Sequence, residues 1–364
     1  MPQQHHTVRT RFRQARLTPH ARHRDIAKTL AISEGELVAA HCGVIDALDS
    51  PLTARRLRAE WPQIVASLET LGEVMALTRN DACVHEKVGI YSHTSLSGPA
   101  QNPVGLVLGG AIDLRIFYRR WAHGFAVEER LADGAMQRSL QFFDAQGQAI
   151  HKVFLRPASK VAAFFDLIDQ FAAPALSTGI NVTALAAAPA PTPDAEVDAA
   201  GLRQAWASMR DTHEFFGLLQ RFGVTRTQAL RLADPGFAQA VPVASAHEVL
   251  TRAAQLGVPI MVFVGNPGLI QIHSGPLQRV EVMGPWLNVL DPGFNLHLRE
   301  DHIADAWLVK KPTSDGLVHS LELFDATGET IAMFFGERQP GQAERCDWRH
   351  LLASLSPEAA ACAS

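Results

Sequence analysis

The sequence predicts an α+β protein made of two tandem homologous repeats, each a large antiparallel β-sheet with accompanying helices. Three observations lead there. A sixteen-residue stretch is written twice, "SLQFFDAQGQAIHKVF" (Ser139–Phe154) and "SLELFDATGETIAMFF" (Ser320–Phe335), with Asp144 over Asp325, Gly147 over Gly328 and Ile150 over Ile331, each pair 181 residues apart. Strand patterns come in consecutive hairpins while helical patterns are grouped elsewhere, which is the α+β arrangement and not alternating βαβ. The length of 364 residues suits about two domains. A repeat of this size means duplicated domains, because solenoid repeats run to about 20–50 residues.

The elements follow in order. The opening "MPQQHHTVRTRFRQARLTPHARHR" is rich in arginine, free of acids up to Asp25 and lacks an apolar core, so it is no secretory signal. "DIAKTLAISEGELVAA" (Asp25–Ala40) reads as a helix, a turn opened by serine and a second helix; "FGLLQRFGVTRTQALRLA" (Phe216–Ala233) echoes it. Each repeated stretch reads as strand, "D-A-x-G" turn, strand, with Asp and Gly supplying the tight loop. Upstream, "AIDLRIF" (Ala111–Phe117) lies over "GFNLHLR" (Gly293–Arg299), and Asn80 lies over Asn266. The Ala/Pro/Thr-rich stretch centred on Ala186–Pro193 cannot build a core and reads as a semi-rigid connector. The expected organisation is therefore a first repeat over 1–185, a connector over 186–198 and a second repeat over 199–364.

Composition excludes several functions. The chain has 33 basic and 37 acidic residues, a net charge of −4, and no lysine-rich block, so no nucleic-acid partner is expected. No run of eighteen apolar residues exists, so no membrane insertion is expected. The four cysteines, Cys42, Cys83, Cys346 and Cys362, are scattered without C-x-x-C spacing, against a disulfide framework and a zinc knuckle. A cytoplasmic location fits these features. Nucleotide-binding glycine motifs, the G-x-S-x-G elbow and H-E-x-x-H are absent. The front ends resemble a helix–turn–helix, but the second helix, "SEGELVAAHCG", is acidic, which opposes phosphate contact and a regulator's role.

One histidine stands out. Leu202, Trp206, Met209, His213, Phe216 and Leu219 recur at helical spacing, which puts His213 on a stripe expected to be buried. Alternatively the helix restarts at Asp211, and "DTHE" is a capping box with Glu214 three residues on. A lone histidine among Phe and Leu is either a core histidine with a hydrogen-bond partner or a metal ligand.

Four stretches in order, "RNDACVHEKVG", "GGAIDLRIF", "WASMRDTHEFFGLLQRFGV" and "FVGNPGLIQIHSGP", resemble the HemS/ChuS/PhuS family of cytoplasmic haem-trafficking and hemin-degrading proteins. The likeness runs from about Ala21 to Asp347. It implies two tandem repeats with a haem cleft between them, and haem b (iron protoporphyrin IX) as cofactor. It implies His213 as the axial iron ligand and Arg115 as the catalytic donor on the opposite haem face. It further implies Phe117 and Phe263 as aromatic packing, and Arg226, Lys311 and Arg338 as partners of the propionates. On strand pattern alone Arg115 is equally a surface charge, Phe117 and Phe263 core residues, and the three cations solvated. The repeat partner of Arg115 is His297, which suits one haem site per chain. Glu214 and Phe215 stand where some relatives place further histidines, and Phe334 and Phe335 stand near positions where several carry tyrosine.

The implied function is to receive imported haem and degrade it or hand it on; the alternative is a pure carrier delivering to a separate haem oxygenase. Possible partners are a haem importer and a haem oxygenase or electron donor.

Overall fold

The computed structural model describes residues 2–16, 21–43, 51–174, 178–184, 190–339 and 341–355. Two compact units make up the chain. The first comprises Met1–Arg79, Glu86–Ala186 and Asn266–Gln271, and the second Asn80–His85, Ala187–Gly265 and Ile272–Ser364. The eighteen described strands fall into two antiparallel sheets of nine, as the α+β reading requires.

The first half runs α1 (Pro2–Ala15), α2 (His23–Thr29), α3 (Glu34–Ala39), β1 (Leu52–Arg56), α4 (Trp61–Ser67), β2 (Val74–Arg79), β3 (Cys83–Gly89), β4 (Thr94–Ser97), β5 (Val104–Val107), β6 (Asp113–Phe117), β7 (His123–Arg130), β8 (Met136–Phe143), β9 (Ala149–Leu155) and α5 (Val161–Phe171). The second runs α6 (Ala199–Ala207), α7 (Glu214–Phe222), α8 (Arg226–Leu232), β10 (Ala238–Val241), α9 (Ser245–Leu256), β11 (Ile260–Asn266), β12 (Leu269–Gly275), β13 (Val280–Met283), β14 (Trp286–Asp291), β15 (Phe294–Arg299), β16 (Asp305–Thr313), β17 (Gly316–Phe324), β18 (Thr330–Gly336) and α10 (Cys346–Ala353).

The same devices build both units. Ser33 opens α3 with a reciprocal capping box to Glu36, and Thr225 opens α8 with one to Gln228, satisfying two donors at each helix start. The turn before each cap passes through a left-handed residue, Ala31 (φ +54°) and Gly223 (φ +62°). Strands pair in the order β1–β7–β8–β9–β2 in the first unit and β10–β16–β17–β18–β11 in the second, with three-stranded meanders β4–β5–β6 and β13–β14–β15. A bulge falls at Phe142/Phe143 in one and Leu323/Phe324 in the other. In each unit one hydrophobic cluster lies under the front helices and another under the later pair, α4 with α5 or α9 with α10. Along the five-stranded runs the sheet is covered on both faces by these clusters, so most of those strand residues alternate between two buried sides.

Asn80 and Asn266 show why each unit takes a short segment from the other half of the sequence. The Asn80 amide donates to the carbonyls of Gly265 (3.1 Å) and Ile331 (2.8 Å), while its oxygen accepts from Ala82 and Cys83. The Asn266 amide donates to the carbonyls of Arg79 (3.0 Å) and Ile150 (2.8 Å), while its oxygen accepts from Gly268. Each side chain satisfies turn donors that would otherwise be stranded.

The basic N-terminal stretch is structural. It forms α1, Phe12 is fully buried, and Arg16 pairs with Glu129 at 2.6 Å. Residues 186–189 of the connector, and Cys362, lie outside the described residues. Beyond them the connector is held by Gln228, whose amide donates to the Thr192 carbonyl (2.6 Å) and the Asp194 carboxylate (2.7 Å). Cys42, Cys83 and Cys346 are free thiols. Among the described residues no helix is long and apolar enough to cross a membrane.

The duplicated turn yields a graded prediction. Gly147 and Gly328 both adopt positive φ, +74° and +82°. A Cβ on Gly147 would meet the Ser33 hydroxyl at 2.2 Å, whereas on Gly328 the nearest atom, Thr227 Oγ1, is 3.1 Å away. Gly328→Ala is expected to cost about 1 kcal/mol, from backbone strain. Gly147→Ala is expected to cost distinctly more, because it also breaks the α3 cap. Urea denaturation of both variants checks the order; equal losses would refute the role given to the Ser33 contact.

Candidate functional site

His213 does not lie on a buried stripe. Its side chain is 89% exposed. The spacing from Leu202 to Leu219 spans two helices. α6 ends at Ala207, α7 starts at Glu214, and the intervening turn rotates the second helix. Leu202, Trp206 and Met209 are buried, but α7 then buries Phe215 and Leu218 and leaves Phe216 exposed. The core-histidine reading is thereby excluded.

The capping box expected at Asp211 is also replaced. The Asp211 carboxylate accepts the His213 backbone N–H (2.9 Å) and meets ring Nδ1 at 2.6 Å. It therefore does not cap through Glu214. Bonds from the His213 backbone and ring, and the nearby Arg338 guanidinium, hold the Asp211 carboxyl below its ordinary range. A carboxylate on Nδ1 favours the tautomer with the proton there and leaves Nε2 as a lone-pair donor facing solvent. Phe216, three residues on and on the same side of the helix, is 68% exposed and adds an apolar surface beside the imidazole. The sequence reading missed this role of Asp211; two residues before a candidate ligand, it was legible as a turn acceptor.

The second unit also holds Phe263, Lys311, Arg226 and Arg338. Phe263 is half-buried and meets Phe335 edge-on at 4.9 Å. Arg226 and Lys311 are not solvated charges. Arg226 makes a two-pronged contact with Glu322 (2.7 and 2.9 Å), and Lys311 reaches the same carboxylate at 2.6 Å. Glu322 is completely buried and Lys311 nearly so. Both cations lie over the Phe215 ring, at 5.0 and 4.7 Å. Arg338 is mostly covered and lies 4.0 Å from Asp315. Phe334 is in the core and Phe335 half-buried.

In the first unit, Asp113, Arg115 and Phe117 share the half-exposed face of β6, while Leu114 and Ile116 are buried. Arg115 is tied to Asp113 of its own strand and donates to the Leu114 carbonyl at 3.2 Å. Its counterpart His297 bonds Asn288 at 2.6 Å, so the repeats have diverged here.

The buried charges are nearly inverted between the units. Aligning the two capping boxes sets Glu34 against Arg226. The strand repeat sets Gln141 against Glu322, Lys152 against Met333, and Glu129 against Lys311. In the first unit Glu34 is the buried acid, bonded to Arg79 at 2.5 Å and to Lys152. Burial pushes its carboxyl up, but Lys152 and Arg79 outweigh burial and hold it at about 2. His23, at the place of Phe215, pairs with Glu129 at 2.9 Å. The position matching His213 is Ala21, which has no ligating atom.

A family model described as the haemin-degrading HemS.ChuX domain matches residues 31–171 and again 223–355. The hemin transport protein HmuS of Yersinia pestis is 40% identical over 336 residues, covering 91% of this chain and 92% of that protein. Among solved structures, holo-PhuS, a heme-binding protein from Pseudomonas aeruginosa, superposes with a TM-score of 0.91 at 44% identity, covering 98% of this chain and 99% of that one. The heme degrading enzyme ChuS of Escherichia coli O157:H7 gives 0.86 at 38% identity, covering 97% and 100%. With its duplicated domain matched twice and these relatives matched almost end to end, the chain belongs to the haemin-degrading HemS.ChuX family.

Proposed function

We propose that the chain binds haem b through His213 and hands it on, serving haem iron use in the cytoplasm. One observation carries this reading: an exposed imidazole whose Nδ1 is held by Asp211 at 2.6 Å, so that Nε2 is presented to an incoming ligand. His213 precedes the second matched stretch, which begins at residue 223, so its assignment rests on this geometry and on the "DTHEFF" resemblance. The arrangement fits haem iron, which takes neutral imidazole as an axial ligand. Phe216 offers apolar cover and Arg338 a cation for a carboxylate. Phe263 and Phe117 are proposed as aromatic packing surfaces. Arg226 and Lys311 are engaged by Glu322, so their proposed part is to hold α8 and Phe215 in place beneath the site.

A second reading, ring opening, is favoured by Arg115, a permanently charged donor on a half-exposed strand face. When bound, haem would supply the iron chemistry and the protein orientation and a hydrogen-bond donor. An importer and an acceptor or electron donor are the proposed partners. The test is the absorption of the haem complex after adding ascorbate in air. A stable Soret band supports the carrier, catalase-resistant loss supports an oxygenase-like activity, and catalase-suppressed loss points to peroxide. Failure to bind haem at all would overturn both readings.

Arg115→Ala is expected to leave haem affinity near normal and to alter cyanide binding or the rate of reductant-driven Soret loss. A single charge-assisted hydrogen bond contributes about 1.5–3 kcal/mol, less than an iron–imidazole bond. If both measurements match wild type, Arg115 is an ordinary strand charge paired with Asp113.

A further inference from the structure

We propose that the second unit carries a separate binding site for a small amphipathic organic anion, in a pocket between β16–β17 and α10. The pocket has a volume of about 460 Å³ and is lined by Lys310, His319, Arg349 and His350 together with Phe237, Leu308 and Leu352, among others. That size lies within the range of about 300–1,000 Å³ that small-molecule sites occupy. No carboxylate is among its lining residues.

The site is distinct from the surroundings of His213. Lys310 and Lys311 are consecutive on β16 and point to opposite faces of the sheet. Lys311 is buried against Glu322, whereas Lys310 is half-exposed and faces the pocket. Lys310 and His319 are directly opposite each other in the β16–β17 ladder. Lys310 forms no ion pair among the described residues. His319 is aimed by a nearly fully buried acid. Glu344 takes the His319 backbone N–H (2.7 Å) and meets ring Nδ1 (2.6 Å), so the carboxylate partner of His319 is internal and Lys310 is the cation left without one.

The duplication supplies a built-in comparison. At the matching place in the first unit the cross-strand pair is Glu128 and Arg138, joined at 2.9 Å. The Arg138 guanidinium lies 5.5 Å over the Phe165 ring of α5. An acid, a base and an aromatic therefore complete that position. In the second unit the acid has become Lys310 and the base His319, and the covering helix is 8 residues long, not 11. The cross-strand ion pair is gone: His319 turns to Glu344, and Lys310 is left without an acid among the described residues. An anion held between Lys310 and Arg349 gives Lys310 the partner that Glu128 and Arg138 give each other in the first repeat. Phe237, Leu308 and Leu352 offer an apolar wall for its body. This inference does not depend on the haem assignment.

The test uses sodium octanoate, acetate and inorganic phosphate as probes, titrated into the full-length protein by calorimetry. Octanoate is expected to bind saturably, and acetate and phosphate at least tenfold more weakly. Lys310→Glu, which restores the first unit's acid, is expected to weaken octanoate at least tenfold and to leave the haem spectrum unchanged. Arg349→Glu, on the exposed side of α10, is expected to act in the same direction and serves if the strand variant does not fold. No saturable octanoate binding, binding indifferent to both variants, or phosphate binding as tight as octanoate would each overturn the proposal.

Discussion

His213→Ala is expected to remove the proposed axial ligand, shift the Soret band and weaken haem binding by more than about 100-fold. Losing a second-shell partner of a metal-bound histidine already costs about 10–100-fold in affinity, and the ligand itself contributes more. Asp211→Asn is the graded companion. It keeps the side chain's size but removes the charge that orients Nδ1, so a loss within that 10–100-fold range is expected, with the ligand retained. The location of His213 makes the comparison clean. At 89% exposure the ring packs against almost nothing, and surface substitutions of that kind usually change stability by no more than about 0.5 kcal/mol. A fall in affinity at unchanged melting temperature therefore reads directly on ligation. Wild-type spectrum and affinity in His213→Ala, with no substitute ligand, would sink the assignment.

The repeat was legible because its turns are chemically demanding. Asp144 and Asp325 each accept backbone N–H groups two and four residues on, and Gly147 and Gly328 each take a positive φ, so few residue types can serve. The paired asparagines were visible as a coincidence of letters; their meaning, a carboxamide closing a turn against carbonyls more than a hundred residues away, needed the fold. The orientation of His213 was not legible. A spacing of three and four describes one continuous helix and also two helices joined by a turn, and only the turn at 208–213 separates them. Charge was the least legible. That Arg226 and Lys311 serve a buried carboxylate was hidden because their partner Glu322 is 96 residues from one of them. One local signal was available: in "SLELF" the glutamate takes the same register as Ser320 and Phe324, which are buried.

Glu322→Gln is expected to have the largest effect on the fold. Glu322 is fully buried and accepts from Arg226, Lys311 and the Ser320 hydroxyl. Removing its charge leaves two cations in an apolar setting, and losing one partner of a buried ion pair costs about 3–5 kcal/mol. At about 2–4 °C per kcal/mol for a unit of this size, the expected fall in melting temperature is roughly 6–20 °C. The first unit shows why the cost belongs to context. There Gln141 occupies the matching place and is tolerated, because the helix start above it carries Glu34 in place of Arg226. The pH dependence gives an independent check. Burial pushes the Glu322 carboxyl up, but Arg226 and Lys311 outweigh burial and hold it well below its ordinary 4.5. The folded value lies below the unfolded one, so its contribution is present above about pH 4.5 and is lost as pH falls toward the folded value. Burial lowers Lys311 from 10.5 to about 8 against the opposing pull of Glu322. Taken alone, Lys311 makes stability rise with pH between about 8 and 10.5, outside the acid window. Wild type is therefore expected to lose stability below pH 4.5 through Glu34 and Glu322 together with other lowered carboxylates such as Glu129, and Glu322→Gln to lose only the Glu322 share of that acid limb. A variant as stable as wild type at pH 7, with an unchanged acid limb, would show that the triad contributes nothing beyond filling space.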